Sequence, residues 1–201
     1  MIQPIGKFSP WEIRSKLDDA RTKSAEHGAD GKASPAIALT LEIEMKQTIE
    51  KFKQRASEAG QEFQKASQDD LLLLRNLGFP DEFIEFYSAC EPEIAFEFGP
   101  RIYPVEHVVE MNTEVGPGFA LQPHGILAFA DTCSGDAYCV DVNTLNQDNS
   151  HPILLYSHET FGQETTAEQI SNERKEVASS LREFLERAYV DEISEEPNFG
   201  F

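Results

Sequence analysis

Basic side chains are almost missing from the middle of this chain. Between residues 76 and 173 there is one, Arg101, against 17 aspartates and glutamates. Such a segment repels phosphates, which excludes ordinary DNA or RNA binding through it. Cysteine is scarce too: Cys90, Cys133 and Cys139 are an odd number, so they read as reduced thiols and not as a disulfide framework. No apolar run approaches the roughly 20 residues of a membrane span. The longest, around Leu71–Leu74 and Gly125–Ala130, are core-sized. The opening MIQPIGKFSPWEIRSKL lacks the apolar stretch of a secretory signal, which sets a cytoplasmic expectation.

The signatures of catalysis are lacking as well. Gly116-Pro117-Gly118 puts a proline where a phosphate-binding loop needs donor amides. His107 and Glu110 begin an H-x-x-E-H zinc motif, but Met111 stands where its second histidine belongs. His151 and His158 have no third ligand in view, and no G-x-S-x-G occurs. Paired carboxylates of the glycosidase kind carry little weight where carboxylates are so many. The expectation is a protein without catalytic residues, cofactor or metal.

What the chain has is acid. Its 201 residues carry 36 acids against 17 bases, a net charge of −19, enough length for one domain with an appendage. Residues 1–75 are balanced, with 12 of each sign, so the excess lies almost wholly in the middle block. Concentrated negative potential attracts a basic partner and speeds its encounter, although acidic surfaces also serve solubility alone.

The first third reads as helices. Ser9-Pro10-Trp11-Glu12 has the form of a helix start, with an end near Gly28. A second helix opens at Ser34-Pro35, and Ala38, Leu41, Met45, Ile49, Phe52 and Ala56 form its apolar stripe, with a break at Gly60. A third begins near Ser67 with Asp69 and Asp70 in its first turn and ends at Gly78. Pro80 opens another, in which Phe83, Ile84 and Tyr87 form a stripe beside Phe86.

Strands follow. EIAFEF alternates Ile94, Phe96 and Phe98 on one face. RIYPVEHVVEMN reads as a short strand, a turn at Pro104 and a short helix. GPGFALQPHG, full of breakers, reads as a loop. ILAFA, AYCVDV and HPILLYSH read as strands, then comes a capping box from Thr165 to Glu168. A last helix is capped by Ser180 and boxed by Glu183, with Leu181, Phe184, Leu185 and Ala188 on its buried face. Helices, then strands, then a closing helix give an α+β expectation: a mostly antiparallel sheet of about six strands with helices against it, preceded by an N-terminal helical extension. The divisions read from the sequence are 1–66 for the extension, 67–190 for the domain and 191–201 for an acidic tail.

The segment Phe129–Asp141, FADTCSGDAYCVD, invites chemistry because it holds three aspartates and two thiols. Asp131, Asp136 and Asp141 are five apart, which does not match an EF-hand loop, and Cys133 and Cys139 lack a matching pair for zinc. A hairpin accounts for more residues: two apolar strands, the polar turn DTCSGD, and Gly135 free to take a positive φ.

Five segments in order resemble one family. LGFPDEFIEFYSACEP resembles the opening helix of the SUKH superfamily, L-P-x-x-[YF]-x-x-F-[YL] followed by a polar turn. GPRIYPVEHVVEMN resembles its strand leading into a short helix, and ILAFADTCSGDAYCVDV its central hairpin. HPILLYSHE and VASSLREFLERAY resemble its later strand and closing helix. The turn here, Cys90-Glu91-Pro92-Glu93, departs from the usual Asn-Gly, and residues 1–66 lie outside the likeness. The resemblance implies a single non-catalytic α+β domain, as in bacterial immunity proteins that neutralise a cognate toxin, often a nuclease, or in fungal cell-wall regulators that act as interaction hubs. Combined with the charge map, it sets the expectation of a protein that sequesters a basic toxin domain, with a regulatory adaptor as the alternative. The acids assigned to contact are Glu91, Glu93, Glu97, Asp131, Glu159 and Glu164; Asp136, which flanks the turn, is set apart as structural.

Overall fold

The computed structural model describes residues 35–95, 100–161 and 165–188. The helix expected between Ser9 and Gly28 and the acidic tail lie outside them. The chain divides into two compact units, Met1–Thr40 and Leu41–Phe201. The fold below is that of the second. It begins well before residue 67, because Met45, Ile49, Phe52 and Ala56 of helix α1 (Pro35–Glu58) are buried in the core of that unit.

Helix α2 (Gln68–Leu77) is set by its ends. Ser67 and Asp70 form a reciprocal capping box. Gly78, at φ 97, turns the chain left-handed and gives its N–H to the carbonyls of Leu74 and Arg75. Helix α3 (Asp81–Ala89) follows at once from Pro80 and buries Phe83, Ile84, Phe86 and Tyr87. A two-stranded ribbon pairs β1 (Phe63–Gln64) with β2 (Glu91–Pro92). Of the strand expected over residues 93–98, Glu93 to Ala95 are irregular and Ile94 is exposed. Phe96 and Phe98 lie outside the described residues.

The main sheet is an antiparallel meander in the order β3 (Arg101–Ile102), β4 (Ile126–Asp131), β5 (Ala137–Asp141), β6 (Ile153–Tyr156) and β7 (Lys175–Ala178). The α+β class and the antiparallel sheet thus stand, as five strands plus the separate ribbon. Strand β7 was not legible beforehand. Both faces of β4 to β6 are covered, which is why these strands read as apolar throughout. On one face Leu127, Phe129, Tyr138, Val140 and Leu155 join the helical core. There Phe129 lies 5.0 Å from Phe83 and 5.2 Å from Phe184 of α7 (Leu181–Arg187), ring centre to ring centre. On the other face Ala128, Cys139, Leu154 and Tyr156 form a smaller core with Leu121, Phe161 and Ile170.

The register slips between Ala128 and Ala130, so the bulge turns both Phe129 and Ala130 toward the larger core. Asn112, on helix α4 (Val105–Thr113), supports the bulge. Its amide donates to the carbonyl of Ala128 at 2.7 Å, and its carbonyl accepts the Ala128 N–H at 2.9 Å.

Two local expectations need correction. The segment read as a loop forms helix α5 (Gly116–Leu121) and a tight 3-10 turn at Gln122–His124. Pro117 sits in the first turn of α5, where proline is tolerated, and Leu121 is fully buried. The capping box of helix α6 (Ala167–Asn172) uses Thr166 and Gln169, one residue later than Thr165 and Glu168. Ser180 caps α7 as expected, while the Glu183 carboxylate reaches back to Ser179. No helix among the described residues is long and apolar enough to cross a membrane.

Candidate functional site: acidic surface and cleft

The acids singled out in the sequence divide into internal and external groups. Glu91 is buried, and its carboxylate accepts the Val105 N–H at 2.9 Å, a donor that Pro104 cannot cap. Asp131 is buried in a two-pronged pair with Arg101, at 2.6 and 2.5 Å. Neither offers a free carboxylate to a partner, so both leave the set of contact candidates. Glu93 and Glu159 are exposed. Glu97 and Glu164 lie outside the described residues.

FADTCSGDAYCVD is the β4–β5 hairpin, with Gly135 at φ 95 in its turn. Its three aspartates tie the hairpin to the rest of the domain. Asp131 binds Arg101 of β3. Asp136 accepts both the backbone N–H and Nδ1 of His158, at 3.1 and 2.8 Å. Asp141 holds Arg174 at 2.6 Å and the Thr144 hydroxyl at 2.8 Å. Two of the three thiols are buried: Cys139 is pushed far up by burial and Cys90 up to about 12 for the same reason, while Cys133 is exposed in the turn. Among the described residues no three His, Cys, Asp or Glu side chains are grouped to hold a metal ion.

Removing Arg101 tests this division. Arg101→Met leaves Asp131 with its charge and without its pair. A fully buried pair broken from one side costs about 3–5 kcal/mol, and the guanidinium here is partly solvated, so the expected loss is about 2 kcal/mol by urea unfolding at pH 7. A loss under about 0.5 kcal/mol would show that Asp131 finds water without Arg101.

Two features were missed in the sequence. The first is a row along α4 and its C-cap: Glu106, Glu110 and Glu114 recur every fourth residue and are all exposed. That spacing was the available signal. His107 lies 3.5 Å from Glu110.

The second is a cleft of about 440 Å³ where the start of α3 meets the β5–β6 loop, lined by Phe79, Pro80, Asp81, Glu82, Asn149 and His151. The loop is held from several sides. His151 Nδ1 lies 3.1 and 2.9 Å from the carbonyls of Asp141 and Thr144, so Nδ1 carries the hydrogen. Asp148 accepts the Ser150 hydroxyl at 2.6 Å, which keeps its carboxyl below the ordinary range. The same hydroxyl oxygen lies 3.0 Å from the Ser179 carbonyl. Glu82 is half-buried in the cleft wall. Burial pushes its carboxyl up to about 7, the His151 N–H donated to it opposes the rise, and Asp148 adds to it. Oxygen Oε1 of Glu82 is buried and has no hydrogen-bond partner among the described residues. No sequence signal marked Glu82, because it follows Asp81 as an ordinary first-turn acid.

No curated protein and no solved structure matches the chain. The model of the SMI1 / KNR4 family (SUKH-1) matches residues 66–187. That family includes toxin immunity proteins and cell-wall regulators, is generally non-catalytic, and works through protein–protein contacts. The match covers more than half of the 201 residues and takes in α2 to α7 and the whole antiparallel sheet, so this chain belongs to the SMI1/KNR4 (SUKH-1) family.

Proposed function

We propose that this chain is an immunity protein, one that sequesters a basic toxin by covering the toxin's cationic surface with its own acidic one. The supporting observation is the exposed row Glu106, Glu110 and Glu114, within a block whose single base, Arg101, is already engaged by Asp131. Like charges four apart on a helix, as Glu106 and Glu110 are, destabilise it by about 0.2–0.5 kcal/mol per pair, and an acid at the helix C-terminus, as Glu114 is, opposes the helix dipole, so folding gives no reason for the row. Glu93 and Glu159 add exposed charge, and Glu97 and Glu164 belong to the same proposal. A nuclease carries positive charge to hold phosphates, which makes it the toxin class this surface suits.

The test is to express the neighbouring reading frames singly and to take one that arrests growth as the cognate toxin; if none does, the immunity reading fails. Co-expression should restore growth. Association measured by stopped flow should slow by about tenfold between roughly 50 and 300 mM salt, and substituting Glu106, Glu110 and Glu114 by glutamine should remove most of that dependence. Association indifferent to both salt and substitution would end the electrostatic reading.

A further inference from the structure

We propose that the cleft between the start of α3 and the β5–β6 loop is an anchor site for an arginine side chain of the protein partner, with Glu82 as its counter-ion. This deepens the immunity reading and rests on it.

Three observations carry the inference. The cleft, about 440 Å³, has the size of a side-chain socket, and no three metal-ligating side chains are grouped there among the described residues. Its wall joins Phe79 and Pro80 to the carboxylate of Glu82. A guanidinium is planar, weakly hydrated and able to lie on an apolar face while its fork meets a carboxylate. Finally, Glu82 is only half satisfied. It accepts the His151 backbone N–H, while Oε1 is buried with no partner among the described residues. Its terminal torsion is soft, so that oxygen can turn toward a donor in the opening, at the cost of loosening the His151 contact.

Nearby acids favour a cation and offset the partial positive charge of the α3 N-terminus. Asp81 lines the cleft, and Asp148 faces Glu82 from the β5–β6 loop. Arg182 of α7 acts on Glu82 only weakly, and its guanidinium is paired with Glu44 of α1. The His151 ring contributes Nδ1–H to loop carbonyls. The loop's hydrogen bonds hold the cleft in shape before any ligand arrives, which reduces what binding must order.

Binding here should release a proton. Near neutrality the free carboxyl is only partly ionised, and an arriving cation pulls it toward the charged form. The experiment is amide NMR of the full chain with N-acetyl-arginine amide as probe and the neutral citrulline analogue as control. Expected is a saturable millimolar response confined to Phe79, Glu82, Asn149 and His151, absent with citrulline. Glu82→Gln should weaken it by about tenfold at pH 8. In the unmodified chain the affinity should rise several-fold from about pH 6 to pH 8 as the carboxyl ionises. Shifts spread over all acidic surfaces, or persisting unchanged in Glu82→Gln, overturn the site. A further arm separates the two readings. If toxin affinity keeps its salt dependence but ignores Glu82→Gln, the anchor fails while the immunity function stands.

Discussion

Asn112→Ala is expected to lower the unfolding free energy by about 3–5 kcal/mol, and the melting temperature by roughly 10 °C. The side chain is 2% exposed and makes three bonds: to the carbonyls of Val108 and Ala128, each at 2.7 Å, and from the Ala128 N–H at 2.9 Å. Strand β3 pairs with β4 at Ala130 and Asp131, and the Tyr103 N–H still reaches the Phe129 carbonyl at 3.1 Å, but at Ala128 the hydrogen-bond partner is a side chain and not a strand. Asn112 takes the place of one. Alanine would leave a buried N–H and a buried C=O at Ala128 unpaired, each costing about 1–3 kcal/mol, and a void besides. Asn112→Leu separates these terms, because it fills the space and restores neither bond; its loss should be nearly as large. Amide exchange at Ala128 should accelerate in both. If either variant melts within about 1 °C of the parent, the bulge is held by packing alone.

The features legible in advance were those decided within a few residues. Ser67 with Asp70, Gly78, Pro80 and the apolar face of Phe83, Ile84 and Tyr87 are local statements, and each stands in the structure. The hairpin was legible for the same reason. Helix α5 was not, because its cause is tertiary. A Cβ on Gly118 would lie 2.6 Å from the Met111 carbonyl oxygen and 2.9 Å from the Ala128 Cβ, so glycine there permits close packing against α4 and β4. In sequence the same glycine reads only as a breaker. Strand β7, Lys175–Ala178, alternates too weakly to stand out and is defined by its pairing with β6.

The acids follow the same rule. Asp131, Asp136 and Asp141 look like solvated turn residues because their partners Arg101, His158 and Arg174 are 30, 22 and 33 positions away. Net charge is therefore a poor map of surface charge here. Part of the excess that first suggested a cationic partner is internal wiring. The row on α4 and the cleft at α3 emerge only once those acids are set aside, and Glu82 is marked by the approach of a loop near residue 150, not by its neighbours in sequence.

Glu82→Gln should stabilise the domain in alkaline solution and do little in acid. The carboxyl titrates near 7 in the folded protein against an ordinary value of 4.5. Between these values the folded state holds a proton that the unfolded chain has released, so stability falls as pH rises, by up to about 1.4 kcal/mol per unit. Below 4.5 both states are protonated and the contribution is whole; above about 7 it is gone. Glutamine keeps the oxygen that receives the His151 N–H and never ionises. The protein's isoelectric point is about 4.5, so measurement belongs above it. From pH 5.5 to 8.5 the difference in unfolding free energy between variant and parent should grow by about 2 kcal/mol in favour of glutamine, while titrations common to both chains cancel. A flat difference would mean that water already solvates this carboxylate. The same result would weaken the anchor site, since a guanidinium gains most from a carboxylate that water reaches poorly.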